Sequence, residues 1–137
     1  MRRVLPIIVF MLALASCREP MSVETFIPGD GPFEFTVDMT DSLAVYDFDF
    51  YSRIDARPED CPGSLLLMIR WVSPAESVYR ESVYLPVKPG EVYEHYRADV
   101  VPSEYGEWKL VVACPEASAV KGFRGLGLVT LKRHGTR

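Results

Sequence analysis

From Phe33 onward, apolar and aromatic residues recur at every second position, the period of a strand with one buried face. Phe33, Phe35 and Val37 fall on one side of a first strand. Tyr46, Phe48 and Phe50 fall on one side of a second, with Asp47, Asp49 and Tyr51 opposite. Ser64 to Val72 is a continuous apolar run, the pattern of a central strand buried on both faces. Ser77 to Val87, Val92 to Val101, Glu107 to Cys114 and Gly122 to Lys132 bring the set to seven predicted strands. Turn-forming clusters separate them, such as Met39-Thr40-Asp41-Ser42, Arg57-Pro58-Glu59-Asp60, Ser73-Pro74 and Lys88-Pro89-Gly90. No stretch of ten residues carries an apolar stripe of helical period. The pattern predicts an all-β chain: an antiparallel sandwich of about seven strands, immunoglobulin-like or jelly-roll.

The first residues follow a different pattern. Arg2 and Arg3 precede 11 almost entirely apolar residues, Val4 to Leu14. A membrane-spanning helix needs about 20, so the run has the length of a signal-peptide core instead. Leu14-Ala15-Ser16-Cys17 then matches a lipoprotein cleavage box at all four positions. Small residues fit the signal peptidase pocket, and the Cys17 thiol would carry a diacylglyceryl thioether. One acyl chain binds a membrane marginally, whereas two or three hold it stably. The expected plan is a leader over 1–16, a lipidated N-terminus and Pro/Gly-rich tether over 17–32, and the sandwich over 33–133. Arg18-Glu19 lacks the aspartate linked to inner-membrane retention, so the outer membrane is the expected location.

Composition narrows the partners. Hydrophobic content of 48% and charged content of 25% suit an ordinary folded domain. Without Arg2 and Arg3 the chain keeps 13 basic and 19 acidic residues, a net charge of −6. Such a domain repels phosphate backbones, so nucleic acid is not an expected partner.

Candidate chemistry is sparse. Asp38, Asp41, Asp47 and Asp49 place four carboxylates within 12 residues, but their spacing fits no EF-hand or nonapeptide calcium loop. They are expected to be a solvated face, with no metal and no cofactor. His95 and His134 are isolated, and neither Ser82 nor Ser103 carries a nucleophile signature that would pair with His95. No catalytic set is expected. Cys61 and Cys114 are candidates for a disulfide, since export permits one, or for two separate buried thiols. Trp71 and Trp108 are expected in the core. Tyr79, Tyr84, Tyr93 and Tyr96 lie on two predicted strands and form a candidate face for a partner protein or a glycan.

Four places carry a family resemblance. Cys17 follows its lipobox; Phe33-x-Phe35-x-Val37-x-x-x-Asp41 is followed by Tyr46-x-Phe48-x-Phe50 and Arg53. Pro102-x-x-x-Gly106-x-Trp108 forms a late turn into a strand, and Val120-x-Gly122 precedes Gly125-Leu126-Gly127-Leu128. In these the chain resembles the GldH family of gliding-motility-associated lipoproteins of Bacteroidetes. It lacks the Gly/Trp-rich middle segment that family carries, over Ser77 to Arg97. The resemblance implies a non-enzymatic, envelope-anchored accessory protein that works by contacting other envelope proteins, with no catalytic residues. A carbohydrate-binding lipoprotein of a glycan-uptake system is the alternative expectation.

Overall fold

The computed structural model describes residues 21–134. Cys17 and the leader lie outside the described residues. Eight strands follow one another: β1 (Met21–Pro28), β2 (Phe33–Met39), β3 (Ala44–Ile54), β4 (Ser64–Val72), β5 (Val78–Pro86), β6 (Gly90–Val100), β7 (Gly106–Ala113) and β8 (Phe123–His134). Two short 3₁₀ turns interrupt the far loops, at Pro58–Asp60 and Ala117–Ala119. Among the described residues no helix is long and apolar enough to cross a membrane.

The strands form two antiparallel four-stranded sheets, ordered β1-β8-β3-β6 and β2-β7-β4-β5. β1 pairs with β8, β2 with β7, β3 with β6 and β4 with β5. The chain is thus one long antiparallel hairpin wrapped around a core, which is the jelly-roll arrangement. The alternation along each strand fills the space between the sheets. β2 offers Phe33, Phe35, Val37 and Met39, β3 offers Tyr46, Phe48 and Phe50, and β4 offers Leu65, Leu67 and Ile69, all buried. Leu110 and Val112 of β7 and Leu126 and Leu128 of β8 complete the layer.

Two expectations are corrected. Residues 21–28 are not tether but the edge strand β1, paired with β8 from Met21↔Lys132 to Pro28↔Gly125. Its side chains are mostly exposed and only Phe26 and Ile27 are half-buried, so backbone pairing rather than apolar pattern defines it. β4 is buried on one face, not two: Met68 is 49% exposed on the outside of its sheet. Of the two readings open for the cysteines, the structure has the separate free thiols at Cys61 and Cys114. Cys114 sits in the core and Cys61 packs against it as small hydrophobes do, and burial pushes the Cys114 thiol pKa up.

Candidate functional site

The two sheets leave a gap where their edge strands β5 and β6 meet. β6 carries extra residues there. Tyr46 of β3 pairs with Val100 while Phe48 pairs with Arg97, and Asp49 pairs with His95, so β6 bulges twice against a regular β3. Bulges bend a strand and re-aim its side chains. Asp99 takes the left-handed conformation at φ 55°. Its backbone N–H donates to Asp47 Oδ1 at 2.8 Å, and Arg133 holds both carboxylates, donating from Nε to Asp47 Oδ2 at 3.0 Å and pairing with Asp99.

A groove of about 390 Å³ opens beside this bulge. Phe48, Met39 and Trp108 form its floor, Trp71 and Tyr79 one wall, and Glu81, Arg97 and Val100 to Ser103 the rim. The rings hold one another at fixed angles: Phe48 to Trp71 at 5.3 Å, Trp71 to Trp108 at 6.2 Å edge-on, and Tyr79 to Trp108 at 6.1 Å. Each indole N–H is spent inside the protein. Trp108 Nε1 donates to the Glu104 carbonyl at 3.0 Å, and Trp71 Nε1 donates to the Tyr96 hydroxyl at 3.1 Å. Tyr96 in turn donates to Glu81, whose other oxygen meets Arg97. Burial, then the bond to Glu81, pushes the Tyr96 phenol up to about 12, so it remains a neutral donor. The groove therefore offers apolar ring surface, bounded by the Arg97–Glu81 pair, Arg80 and the Ser103 side. It suits an apolar or ring-shaped group.

Only two of the four candidate tyrosines meet here. Tyr79 forms a wall and Tyr96 supports the rim. Tyr84 is 71% exposed on the outer face of the second sheet. Tyr93 lies on the outer face of the first sheet, in a separate aromatic cluster. There Phe26, Gly127, Tyr51 and Tyr93 are cross-strand neighbours on β1, β8, β3 and β6. Tyr51 lies across Gly127, where a Cβ would occupy the space of its ring. Phe26 stacks on it at 6.0 Å, and Tyr93 meets it at a tilt with ring centres 4.6 Å apart. Glu24 accepts from the Tyr93 hydroxyl at 2.9 Å, and hydrogen bonds from Tyr51 and Tyr93 lower the Glu24 pKa. Arg53 sits 4.1 Å over the Phe26 ring. Tyr51 is 1% exposed although it points away from the core.

The other candidates have structural partners. Asp38 accepts from the Thr40 backbone at 3.1 Å, and Asp41 from the Leu43 backbone at 2.9 Å. Asp41 also meets Lys132 at 3.1 Å and His134 at 3.0 Å. His95 faces Asp49 at 3.0 Å on the outside of the first sheet. Ser82 lies on the outside of the second sheet and Ser103 at the groove, so these three do not converge. Among the described residues no acidic, histidine and cysteine groups gather into a metal-holding set. Trp108 lies in the core and Trp71 packs against it, as expected, and both also line the groove, whereas Glu81 and Arg97 were not singled out from the sequence. A signal for the groove did exist: Trp71 and Tyr79 lie four residues either side of Ala75, and a hairpin centred there pairs them directly.

No protein-family model matches the chain, and no curated protein matches it. Among solved structures it is similar to a chain of infectious bursal disease virus Gx strain, at TM-score 0.43 and 10% identity over 87% of this chain. It is also similar to arabinose-bound MgGH51 a-L-arabinofuranosidase, at TM-score 0.34 and 13% identity over 81% of this chain. The chain spans 33% of the first protein's length and 17% of the second's. These likenesses assign no activity or partner to it.

Proposed function

We propose that this chain is a non-enzymatic lipoprotein of the bacterial outer membrane, anchored through acyl chains on Cys17, that binds another envelope protein through the β5/β6 groove. Its setting would be an envelope machinery of the gliding-motility type. The observation that carries the binding role is the groove itself, where Tyr79 and the half-buried Trp71 line an apolar concavity over the buried Trp108 between two sheet edges. Exposed aromatic concavities of this kind serve as anchor pockets for a partner's apolar side chain. The lipobox supports the location.

The test is recovery of partners from native membranes by chemical crosslinking of the full-length chain. The same one or two envelope proteins should be recovered repeatedly, be lost with Cys17→Ser, and fall about tenfold with Tyr79→Ala, as expected for an anchor contact worth about 1.4 kcal/mol. Recovery unaffected by both substitutions would overturn the proposal.

A glycan-binding role is the second reading, favoured by the Trp71 and Tyr79 rings standing beside the Arg97–Glu81 pair and Ser103, a stacking platform next to polar groups. It predicts saturable binding to some member of a broad glycan panel, abolished by Trp71→Ala or Tyr79→Ala. Tyr84→Ala and Tyr93→Ala should leave that binding intact, since neither residue lines the groove.

A further inference from the structure

The strand β1 changes what the anchor can do. Three residues separate Cys17 from Met21, and whatever their conformation that distance is at most about 14 Å. A domain tethered this closely to acyl chains cannot stand away from the bilayer. The end of the sandwich where β1 starts must lie at the headgroup layer.

That end differs from the other. It carries the start of β1, the end of β8 and the loops 40–43, 73–77 and 101–105. The last two touch, since the Ala75 backbone donates to Glu104 at 3.1 Å. Of the ten large apolar side chains exposed among the described residues, Met21, Leu43, Val78, Val101 and Tyr105 lie at this end, with Leu43 68% and Met21 61% exposed. None lies in the loops 29–32, 55–63, 87–89 or 114–122 of the opposite end. Both ends expose charges, Asp30, Glu59, Asp60, Lys88 and Lys121 at the far one and Glu76 and Asp99 at this one, so the apolar groups are what sets them apart. Apolar groups exposed at one end of a domain call for a covering surface, and the short span to Cys17 says which surface is available.

We infer that this end docks on the lipid bilayer, with Leu43, Val101 and Met21 entering the headgroup region. The inference rests on the lipid-anchor reading above. A net charge of −6 without Arg2 and Arg3, and the absence of a basic run, mean that headgroup charge does not drive the contact. The anchor does so instead, because a short link holds the loops at an effective concentration on the order of millimolar beside the surface, where weak apolar contacts suffice. One consequence follows for the groove. Val101 to Ser103 form both its rim and part of the docked loop, so the groove opens at the membrane surface and its partner is a membrane-proximal segment.

Hydrogen exchange tests this with the full-length lipidated chain on phosphatidylethanolamine–phosphatidylglycerol vesicles, against the Cys17→Ser chain in solution. Amides of the loops 40–43 and 101–105 should exchange at least threefold more slowly on vesicles, with 29–32 and 87–89 unchanged. Leu43→Asp with Val101→Asp, both at exposed positions, should abolish that protection while the acyl mass on Cys17 remains. Equal rates at both ends, or protection of the far loops, in a chain that carries the acyl mass would overturn the docking and leave the anchor standing. Absence of acyl mass on Cys17 in the cell-derived protein would overturn the anchor and the docking together.

Discussion

Two aromatic clusters in this protein use similar residues for opposite ends. On the outside of the first sheet, Tyr51 lies over Gly127 between Phe26 and Tyr93, and its ring is almost completely covered. At the β5/β6 edges, Trp71, Trp108 and Tyr79 stand around a space of about 390 Å³. The first cluster closes because regular cross-strand pairing on four adjacent strands puts its rings in one row, and a glycine makes room for the largest of them. The second stays open because β6 bulges beside it and the two sheets end there. Backbone regularity, rather than aromatic content, separates a packed patch from a candidate binding site.

Gly127→Ala breaks the comparison most sharply. Its methyl group would collide with Tyr51, forcing the ring out of a packed site. The expected cost is about 2–3 kcal/mol, read as a lower midpoint in denaturant unfolding with partner binding unchanged in the folded fraction. Tyr51→Phe keeps the ring but removes the hydroxyl that bonds Glu24, and should cost about 1 kcal/mol by the same measurement. Tyr79→Ala should behave in the reverse way. Half-exposed at the groove wall, it should change stability by no more than about 0.5 kcal/mol while removing most partner or glycan binding.

Titration sharpens the same contrast. The bond to Glu24 and partial desolvation push the Tyr93 phenol up to about 12, and burial with the bond to Glu81 does the same for Tyr96. A phenol whose pKa rises on folding contributes stability below its unfolded value of about 10, and that contribution is lost as pH climbs through about 12. Both clusters should therefore loosen between pH 10 and 12. Phenolate absorbance should show one late-ionising group fewer in Tyr93→Phe and one fewer in Tyr96→Phe. At the other limit, the Leu43 backbone N–H, His134 and Lys132 hold the Asp41 carboxyl down at about 2. Its contribution to the 40–43 turn is complete above about pH 4 and lost as pH falls through about 2. Asp41→Asn should thus differ from the parent in unfolding midpoint near pH 6, with the difference fading toward pH 2.

Much of the fold was legible because β2 and β7 alternate cleanly and burial follows that alternation, as it does in β3 from Tyr46 to Phe50. β1 was not, because an edge strand with few buried side chains leaves only its backbone pairing as a signal. β4 misled in the other direction, since Leu66 and Met68 are apolar yet face outward. The jelly-roll order was open for the same reason as the cysteine pairing: both depend on distances between residues far apart in sequence. The tyrosine face failed because exposure and strand membership do not fix direction. Tyr79 and Tyr84 share β5, and Tyr93 and Tyr96 share β6, each pair at an odd spacing that sends its members to opposite sides of the sheet.

The groove's role as the binding face is tested most directly by a photo-crosslinker placed at Tyr79, with Tyr84 as the control on the same strand, in lipidated full-length protein in native membranes. A discrete adduct is expected from position 79, absent from position 84 and lost with Trp71→Ala. No adduct from position 79, or the same adduct from both positions, would contradict that role.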